Sequence, residues 1–176
     1  VTTILAATQS SEKRESIAKW QAKVGKKEAE RVKNVAGKRG TAMHNYLEYM
    51  VAGKNLLDLT EEGVEAQRMA EVVRDKGFGD LNEIWGSEVV LSYPGLYAGQ
   101  TDLCGIYQGR ESIIDFKQSN KPKREEWIED YYYQMVAYAM AHDAIHGTQI
   151  EQGVILMCTP DLFCQRFVLN GSRFRQ

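Results

Sequence analysis

An aspartate and a lysine interrupt an otherwise apolar run at Asp115 and Lys117, and these two residues are the first candidates for chemistry. The preceding Ser112-Ile113-Ile114 is typical of a buried strand. Because side chains alternate along a strand, Asp115 and Lys117 face one side while Phe116 faces the other. Burial of both charges costs several kcal/mol unless something balances them. Either the two residues form a structural ion pair, or the strand ends at a site that uses both.

A second carboxylate, Asp102, ends the run Gly99-Gln100-Thr101-Asp102 on the predicted strand before this one. A short hairpin joins the two strands, so Asp102 and Asp115 are expected near one another at one end of the sheet. Close carboxylates repel each other unless a cation sits between them, and oxygen-rich sites suit Mg²⁺ or Mn²⁺. Lys117 could then orient a water nucleophile or stabilise charge that develops on a phosphoryl group. The alternative is an ion pair beside an unrelated turn aspartate, since D-x-K is common by chance.

Two polar residues on a predicted helix extend this set. His44 and Glu48 are four residues apart and therefore share one helix face. The imidazole could bind a metal, with Glu48 as its outer partner or as a surface residue. A lone histidine on a helix is more often structural, so both readings stay open.

A later predicted helix carries an amide and several phenols. Gln134 and Tyr138 are four residues apart on one face, and Tyr131 lies one turn before Gln134. Such groups along a groove can hydrogen-bond phosphates or stack on bases. The alternative is an aromatic stripe that packs on the sheet, and we expect this for part of the helix in any case.

Helices and strands that would position these residues follow from apolar periodicity and turn signals. Helices are predicted over 11–36, 41–53, 60–76 and 124–146, with a break at the Gly37-Lys38-Arg39-Gly40 run. Strands are predicted over 83–93, 96–107 and 112–117 as an antiparallel meander, and over 149–158 and 162–169 as a final hairpin. The order predicts an α/β (α+β mixed) fold with a central mixed sheet flanked by helices. We expect one domain over 1–176, mainly helical in 1–80, with the sheet core in 83–170.

Charge and cysteine content limit the classes of protein. The 176 residues carry a net charge of −2, but residues 1–40 hold ten Lys or Arg against four Asp or Glu. This basic segment could attract a polyanion, or it could be a solvated helix face. The three cysteines lack the spacing of a disulfide framework or a zinc site. No apolar run approaches the roughly 20 residues of a membrane span, so no membrane partner is expected.

The order and spacing of these motifs resemble the RecB-type branch of the PD-(D/E)XK nucleases. The resemblance rests on His44, a GxxD run ending at Asp102, Asp115-x-Lys117, and Gln134-x-x-x-Tyr138. It is strongest over "YAGQTDLCGIYQGRESIIDFKQSNKPK" and "YYYQMVAYAMAHD", and "RGTAMH" is similar to phage exonucleases of this kind. The resemblance implies a metal-dependent DNA phosphodiesterase with N-terminal helices over its active site.

The resemblance also implies roles for individual residues. His44, Asp102, Asp115 and the backbone carbonyl of Phe116 would bind Mg²⁺ or Mn²⁺, and Lys117 would be the catalytic lysine. The residues expected to contact substrate are Gln134, Tyr138, Tyr131, Ser119, Lys121 and Arg39, while Glu48 and Glu88 are weaker acidic candidates. Relatives with an iron–sulfur cluster use four cysteines, so no such cluster is expected from this sequence with three.

The resemblance implies an exonuclease that prefers single-stranded DNA ends or flaps in replication, recombination or repair. DNA is the expected partner, together with replication or recombination proteins. Two alternatives stay open: a structure-specific endonuclease on the same fold, and a non-catalytic DNA-binding module. Because no transit peptide is visible, we expect a bacterial or phage-infected cytoplasm, with the mitochondrial matrix as the alternative.

Overall fold

The computed structural model of the chain describes residues 1–175. The helices are α1 (Thr2–Ala7), α2 (Ser11–Val24), α3 (Lys26–Val51), α4 (Glu61–Gly77), α5 (Glu129–His146) and α6 (Ser172–Arg175). The strands are β1 (Leu81–Tyr93), β2 (Tyr97–Tyr107), β3 (Arg110–Gln118), β4 (Gln152–Cys158) and β5 (Cys164–Asn170). Short 3₁₀ turns cover Phe78–Asp80 and Glu125–Trp127.

The five strands form one sheet in the order β1-β2-β3-β4-β5, so the predicted mixed sheet is confirmed. β3 and β4 run parallel, and the other neighbours pair antiparallel. Gln108 and Gly109 join β2 to β3 with φ angles of 50° and 75°. Positive φ at both central residues is what a two-residue type I′ hairpin turn requires. The parallel step from β3 to β4 passes through α5, as a parallel connection needs a crossover.

Apolar side chains cover both faces of this sheet. Alternation along β3 directs Ile114 and Phe116 to the side of α3 and α4, where they join one hydrophobic cluster. Ile113 faces the other side and joins the cluster around α5. β4, whose seven residues are all buried, is therefore a nearly continuous apolar run, because it is covered on two sides.

The predicted break at Gly37-Lys38-Arg39-Gly40 is wrong, because α3 runs without interruption from Lys26 to Val51. A glycine inside a helix costs only about 1 kcal/mol relative to alanine, which the packing of the second half of α3 offsets. Thr41, the first residue of the helix predicted over 41–53, therefore lies inside α3. The chain breaks instead at Gly25, whose φ of 86° separates α2 from α3.

Other boundaries differ by a few residues. The helix predicted from residue 124 begins at Glu129, because a 3₁₀ turn occupies Glu125–Trp127. The short helix α1 was not predicted. Ser10 and Thr60 cap α2 and α4 by accepting from the amides of Lys13 and Gly63. Within residues 1–175, no helix combines the length and the apolar character that crossing a membrane requires.

Candidate active site

Strands β2 and β3 part at one end of the sheet, and the two predicted carboxylates lie there. The pairing of β2 with β3 reaches Leu103 and Ile114. Beyond this pair, the Asp102 side chain replaces the backbone of β2 as the partner of β3: its Oδ2 accepts a hydrogen bond of 2.6 Å from the Phe116 amide. β3 continues to Gln118 on its other edge, paired with β4. The expectation that Asp102 and Asp115 lie together at one end of the sheet is therefore fulfilled in the structure.

Helix α3 brings His44 to Asp102. His44 Nδ1 lies 3.2 Å from Asp102 Oδ1. Burial alone would lower the pKa of His44, but the hydrogen bond and the charge of Asp102 outweigh burial and raise it. For Asp102, burial alone would raise the pKa, yet the contact with His44 and the nearby Lys117 charge lower it overall. Asp102 therefore stays ionised and favours a positive partner.

Asp115 and Lys117 contact each other directly, as their shared strand face predicts. Asp115 is buried, with 3% of its surface exposed. Burial, together with repulsion from Asp102, raises the pKa of Asp115 to about 6, against the opposing charge of Lys117. Oδ2 of Asp115 touches the Lys117 ammonium, but among the described residues it has no hydrogen bond of good angle. The ion pair with Lys117 leaves Oδ2 without a hydrogen bond from any described residue, so this carboxylate keeps capacity for another partner.

Glu88, a weaker acidic candidate from the sequence, lies in a compact group of possible ligand atoms. One side-chain ligand atom from each of His44, Glu88 and Asp102 lies within 4.8 Å of the other two. Glu88 has a φ of 53°, uncommon for a non-glycine residue, and Gln100 Nε2 donates to its Oε2 at 2.6 Å. Burial, followed by repulsion from Asp102 and Glu48, raises the pKa of Glu88. The strained backbone and the glutamine together aim this carboxylate at His44 and Asp102.

These side chains fit a divalent cation. Carboxylate oxygens with one imidazole nitrogen suit Mn²⁺, and oxygen ligands suit Mg²⁺. Burial, and after it repulsion from Asp102, raises the pKa values of Glu88 and Asp115, and a cation beside these carboxylates would offset both effects. The incompletely bonded Oδ2 of Asp115 points to the same conclusion. The donor set therefore suits a hard or borderline metal ion.

Helix α5 lines the other side of the site. Gln134 Nε2 donates to the Tyr138 hydroxyl at 3.0 Å, and both side chains are buried. Lys117 Nζ lies 5.1 Å from the centre of the Tyr131 ring, a cation–π contact. A Cβ added at Gly99 would lie 2.6 Å from Tyr138 Cε1. The first residue of the GxxD run is thus a glycine because the tyrosine ring occupies that space.

Arg39 and Glu48 lie beside the site. The Arg39 side chain is mostly buried, donates to Glu65 Oε2 at 2.6 Å and reaches Asn120 Oδ1 at 3.2 Å. A phosphate at Arg39 would therefore compete with Glu65. Glu48 is exposed on α3, and its charge acts on Glu88.

Ser119 and Lys121 belong to the loop after β3. The Ser119 hydroxyl donates to the Lys121 carbonyl at 2.7 Å, so it shapes the loop. The Lys121 side chain is exposed. Of the two, Lys121 is the better placed to meet a phosphate.

The site thus combines two carboxylates and a lysine, at the point where two strands of a mixed sheet part, with His44 and Gln134 from helices on either side. This arrangement suits a divalent cation and an anionic ligand. No family model matches the sequence. The chain is 29% identical over 129 residues to mitochondrial genome maintenance exonuclease 1 of Homo sapiens. That match covers 70% of this chain and 37% of the human protein, so the chain spans little more than a third of that relative.

The fold is similar to the crystal structure of an inferred exonuclease from Eubacterium rectale, with a TM-score of 0.54. The alignment covers 78% of this chain and 61% of that protein at 8% sequence identity, which shows the fold alone. Together, the sequence match and the shared fold support a relationship between this chain and proteins of an exonuclease fold.

Proposed function

We propose that residues 1–176 form one metal-dependent DNA exonuclease domain that hydrolyses phosphodiester bonds at single-stranded ends or flaps. The observation that carries this proposal is the buried Asp115–Lys117 pair beside Asp102 and His44. Buried charges of this density are costly unless a function requires them. A purely structural ion pair would not need a second carboxylate and a histidine at the same strand end.

His44, Glu88 and Asp102 would hold Mg²⁺ or Mn²⁺, with Asp115 and the Phe116 carbonyl as further ligands. When bound, the cation supplies Lewis-acid polarisation of the phosphoryl group and a counter-charge for the transition state. The Asp102 carboxylate is fixed by the Phe116 amide, and the Glu88 carboxylate is fixed by Gln100. Both ligands are therefore oriented before substrate arrives.

Lys117 acts as a charged donor in this scheme. Burial alone would lower its pKa, but the charges of Asp115 and Asp102 outweigh burial and raise it, so the amine stays an ammonium. An ammonium cannot accept a proton, so Lys117 stabilises the phosphoryl oxygens instead of acting as a general base. Water adds to phosphorus, the bond from phosphorus to the 3′ oxygen breaks, and the products are a 3′-hydroxyl and a 5′-phosphate.

A preference for single strands is supported by the position of the basic N-terminal helices. α2 buries none of its described residues, and its Lys13 contacts Asp130 at the start of α5. α3, which follows α2, carries His44 on the opposite side of the site. Helix α2 therefore extends from the start of α5 toward α3 and restricts access to the site. The lysines of α2 attract the DNA backbone.

The proposed function also bears on where in the cell the enzyme would work, since it requires DNA with free ends or flaps. We place the enzyme in a bacterial or phage-infected cytoplasm, where replication or recombination proteins would supply ends and flaps. The mitochondrial matrix is the second candidate, favoured by the name of the human relative.

The deciding experiment is a nuclease assay in Mg²⁺ and in Mn²⁺ on linear single-stranded, blunt duplex and circular single-stranded DNA, labelled at either end. Lys117→Ala is tested beside Lys54→Ala, which removes an exposed lysine on the loop after α3. We expect linear single strands to be degraded, with activity lost in EDTA and in Lys117→Ala and retained in Lys54→Ala. Cutting of circular DNA would instead favour an endonuclease, and binding without any cleavage would leave a DNA-binding module.

A further inference from the structure

The segment from Lys117 to Tyr131 leaves the candidate site and returns to it. Its two ends meet, because Lys117 Nζ lies 5.1 Å from the Tyr131 ring. Trp127 precedes Tyr131 by four residues, so the two Cα atoms are at most about 14 Å apart. Anything bound at the site therefore passes within a few nucleotides of this tryptophan.

The segment is held in place by hydrogen bonds to neighbouring strands. The Ser119 amide donates to the Cys158 carbonyl at 3.1 Å. Gln165 on β5 bonds both backbone groups of Lys123, at 2.8 Å to the amide and 2.9 Å to the carbonyl. A segment pinned in this way presents its side chains at fixed positions.

Trp127 stands out on this segment as an exposed aromatic ring on a rigid support. It has 56% of its surface exposed, while the next residue, Ile128, is buried at 1% and anchors the turn. The Arg124 guanidinium lies 5.3 Å from the ring centre. A single exposed hydrophobic residue is ordinary on a protein surface, but this one is paired with a cation and follows a basic run.

Basic side chains come directly before the ring in the chain and can meet an anionic ligand. Lys121, Lys123 and Arg124 precede the tryptophan. Both acidic residues between them and the ring have basic partners. Glu125 is engaged by Arg173 at 3.0 Å and by the Tyr132 hydroxyl, and Glu126 lies 3.7 Å from Arg124, in an exposed pair that a phosphate could replace. Aromatic rings beside basic side chains are the usual surface for single-stranded nucleic acid, because bases stack while cations hold the phosphates.

We propose that Trp127, supported by Arg124, is a stacking platform for a base of the single strand whose phosphate lies at Lys117. This inference rests on the proposed nuclease function and adds a substrate-binding position to it. Stacking on a ring tolerates any base, so the platform holds the strand without reading its sequence. The lysines of the same segment would hold the flanking phosphates.

The test uses the fluorescence of Trp127. The chain contains three tryptophans, so Trp20→Phe combined with Trp85→Phe leaves Trp127 as the sole tryptophan fluorophore. This variant is titrated with a thymidine oligonucleotide in Ca²⁺, and in parallel with an abasic strand of the same length. We expect the oligonucleotide to quench the fluorescence of Trp127. The abasic strand should also bind, as measured by the anisotropy of a label on that strand, but it should not quench the fluorescence.

A second measurement keeps the other two tryptophans. Trp127→Ala is expected to weaken binding of single strands by roughly five- to 150-fold, the usual loss for one stacked base. Trp127→Phe should recover most of that loss, because it retains an aromatic face. Tyr133→Ala is the matched control, since Tyr133 is a similarly exposed aromatic residue at 53%, and it should bind as the natural protein does.

The outcomes separate this inference from the function on which it rests. The natural protein could bind and cleave DNA while the fluorescence of Trp127 does not change, or is quenched equally by the abasic strand. Either result would overturn the stacking proposal and leave the proposed nuclease function in place. Equal binding by Trp127→Ala and Tyr133→Ala would also overturn it. If the natural protein neither binds nor cleaves DNA, both proposals fail.

Discussion

The Tyr138 ring occupies the position that a side chain on Gly99 would need. A Cβ at Gly99 would lie 2.6 Å from Tyr138 Cε1 and 3.2 Å from its hydroxyl. The same hydroxyl accepts the hydrogen bond from Gln134. Two motifs far apart in the chain, GxxD on β2 and QxxxY on α5, are therefore joined by one steric contact beside the candidate site.

Gly99→Ala should disturb this contact and reduce activity. Tyr138 is 3% exposed and cannot simply move into solvent. Overpacking of this kind costs about 1–3 kcal/mol of folding free energy when the neighbouring side chain must shift. If Tyr138 moves and about 1.4 kcal/mol of transition-state stabilisation is lost with it, kcat/KM on single strands falls about tenfold. Gly37→Ala is the control, because among the described residues no heavy atom lies within 4 Å of a Cβ there. Equal kcat/KM for the two variants would contradict the steric role.

Lys117→Met should destabilise the metal-free protein and make its stability depend on metal. Loss of the ammonium leaves Asp115 buried without its counter-charge, and breaking a buried pair costs about 3–5 kcal/mol. A cation at the site would replace that charge, so Mn²⁺ should raise the Tm of this variant more than that of the natural protein. Thermal unfolding in EDTA and in Mn²⁺ measures both effects. Lys121→Met, at an exposed lysine, is the control; an equal Tm for both variants in EDTA would speak against the buried pair.

The activity at limiting Mn²⁺ should rise with pH through about 6. The pKa of Asp115 is raised from 3.8 to about 6 in the folded protein, so the folded state binds more protons than the unfolded state between these values. In EDTA, the contribution of this group to the free energy of unfolding therefore falls as pH rises across that interval. Metal ligands must be deprotonated, so excess Mn²⁺ should move the midpoint of the activity profile to lower pH. If the pH midpoint of the activity profile were the same at limiting and at excess Mn²⁺, Asp115 would not be a metal ligand.

Glu88→Gln should raise the Mn²⁺ concentration needed for half-maximal activity by about ten- to a hundredfold, the range found for groups that tune a metal site. The amide keeps the size of the side chain and removes the charge that, with His44 and Asp102, would attract the cation. Activity at saturating Mn²⁺ should change less. Glu83→Gln, at an exposed position of the same strand, is the control. If Glu88→Gln needed the same Mn²⁺ concentration as the natural protein, Glu88 would not be a ligand, and the proposed set would reduce to His44, Asp102 and Asp115.

Much of the fold could be predicted because its signals are local. Alternating residues and short turns define β1 to β3, and the Gln108-Gly109 turn fixes their register. The run Gly37 to Gly40 misled the prediction, because packing of α3 against α4 and the sheet decides its helicity, and no local signal reports that packing. Helix α2 ends instead at Gly25, which has a φ of 86°. Among the described residues, no atom lies within 4 Å of a Cβ placed there, so the backbone angle and not packing marks this break.

The candidate site divides in the same way. Asp102, Asp115 and Lys117 follow from alternation and one hairpin, whereas the proximity of His44 follows only from the resemblance or from the structure. Glu88 was ranked as a weak candidate because its left-handed backbone, which turns the side chain toward His44, leaves no trace in a strand pattern. Gln100 lay in the quoted GxxD run, but nothing in the sequence indicated that it holds Glu88.

The Gln108-Gly109 turn also bears on the order in which the chain folds. The bond from Phe116 to Asp102 spans only 14 residues, and hairpins form within about 1–10 μs. Closing a short loop loses little chain entropy. The contacts of His44 with Asp102 and of Tyr138 with Gly99 join residues 58 and 39 positions apart, so we expect them to form later. The acidic half of the centre is thus assembled first, and His44 and Tyr138 close around it as the two helix layers dock.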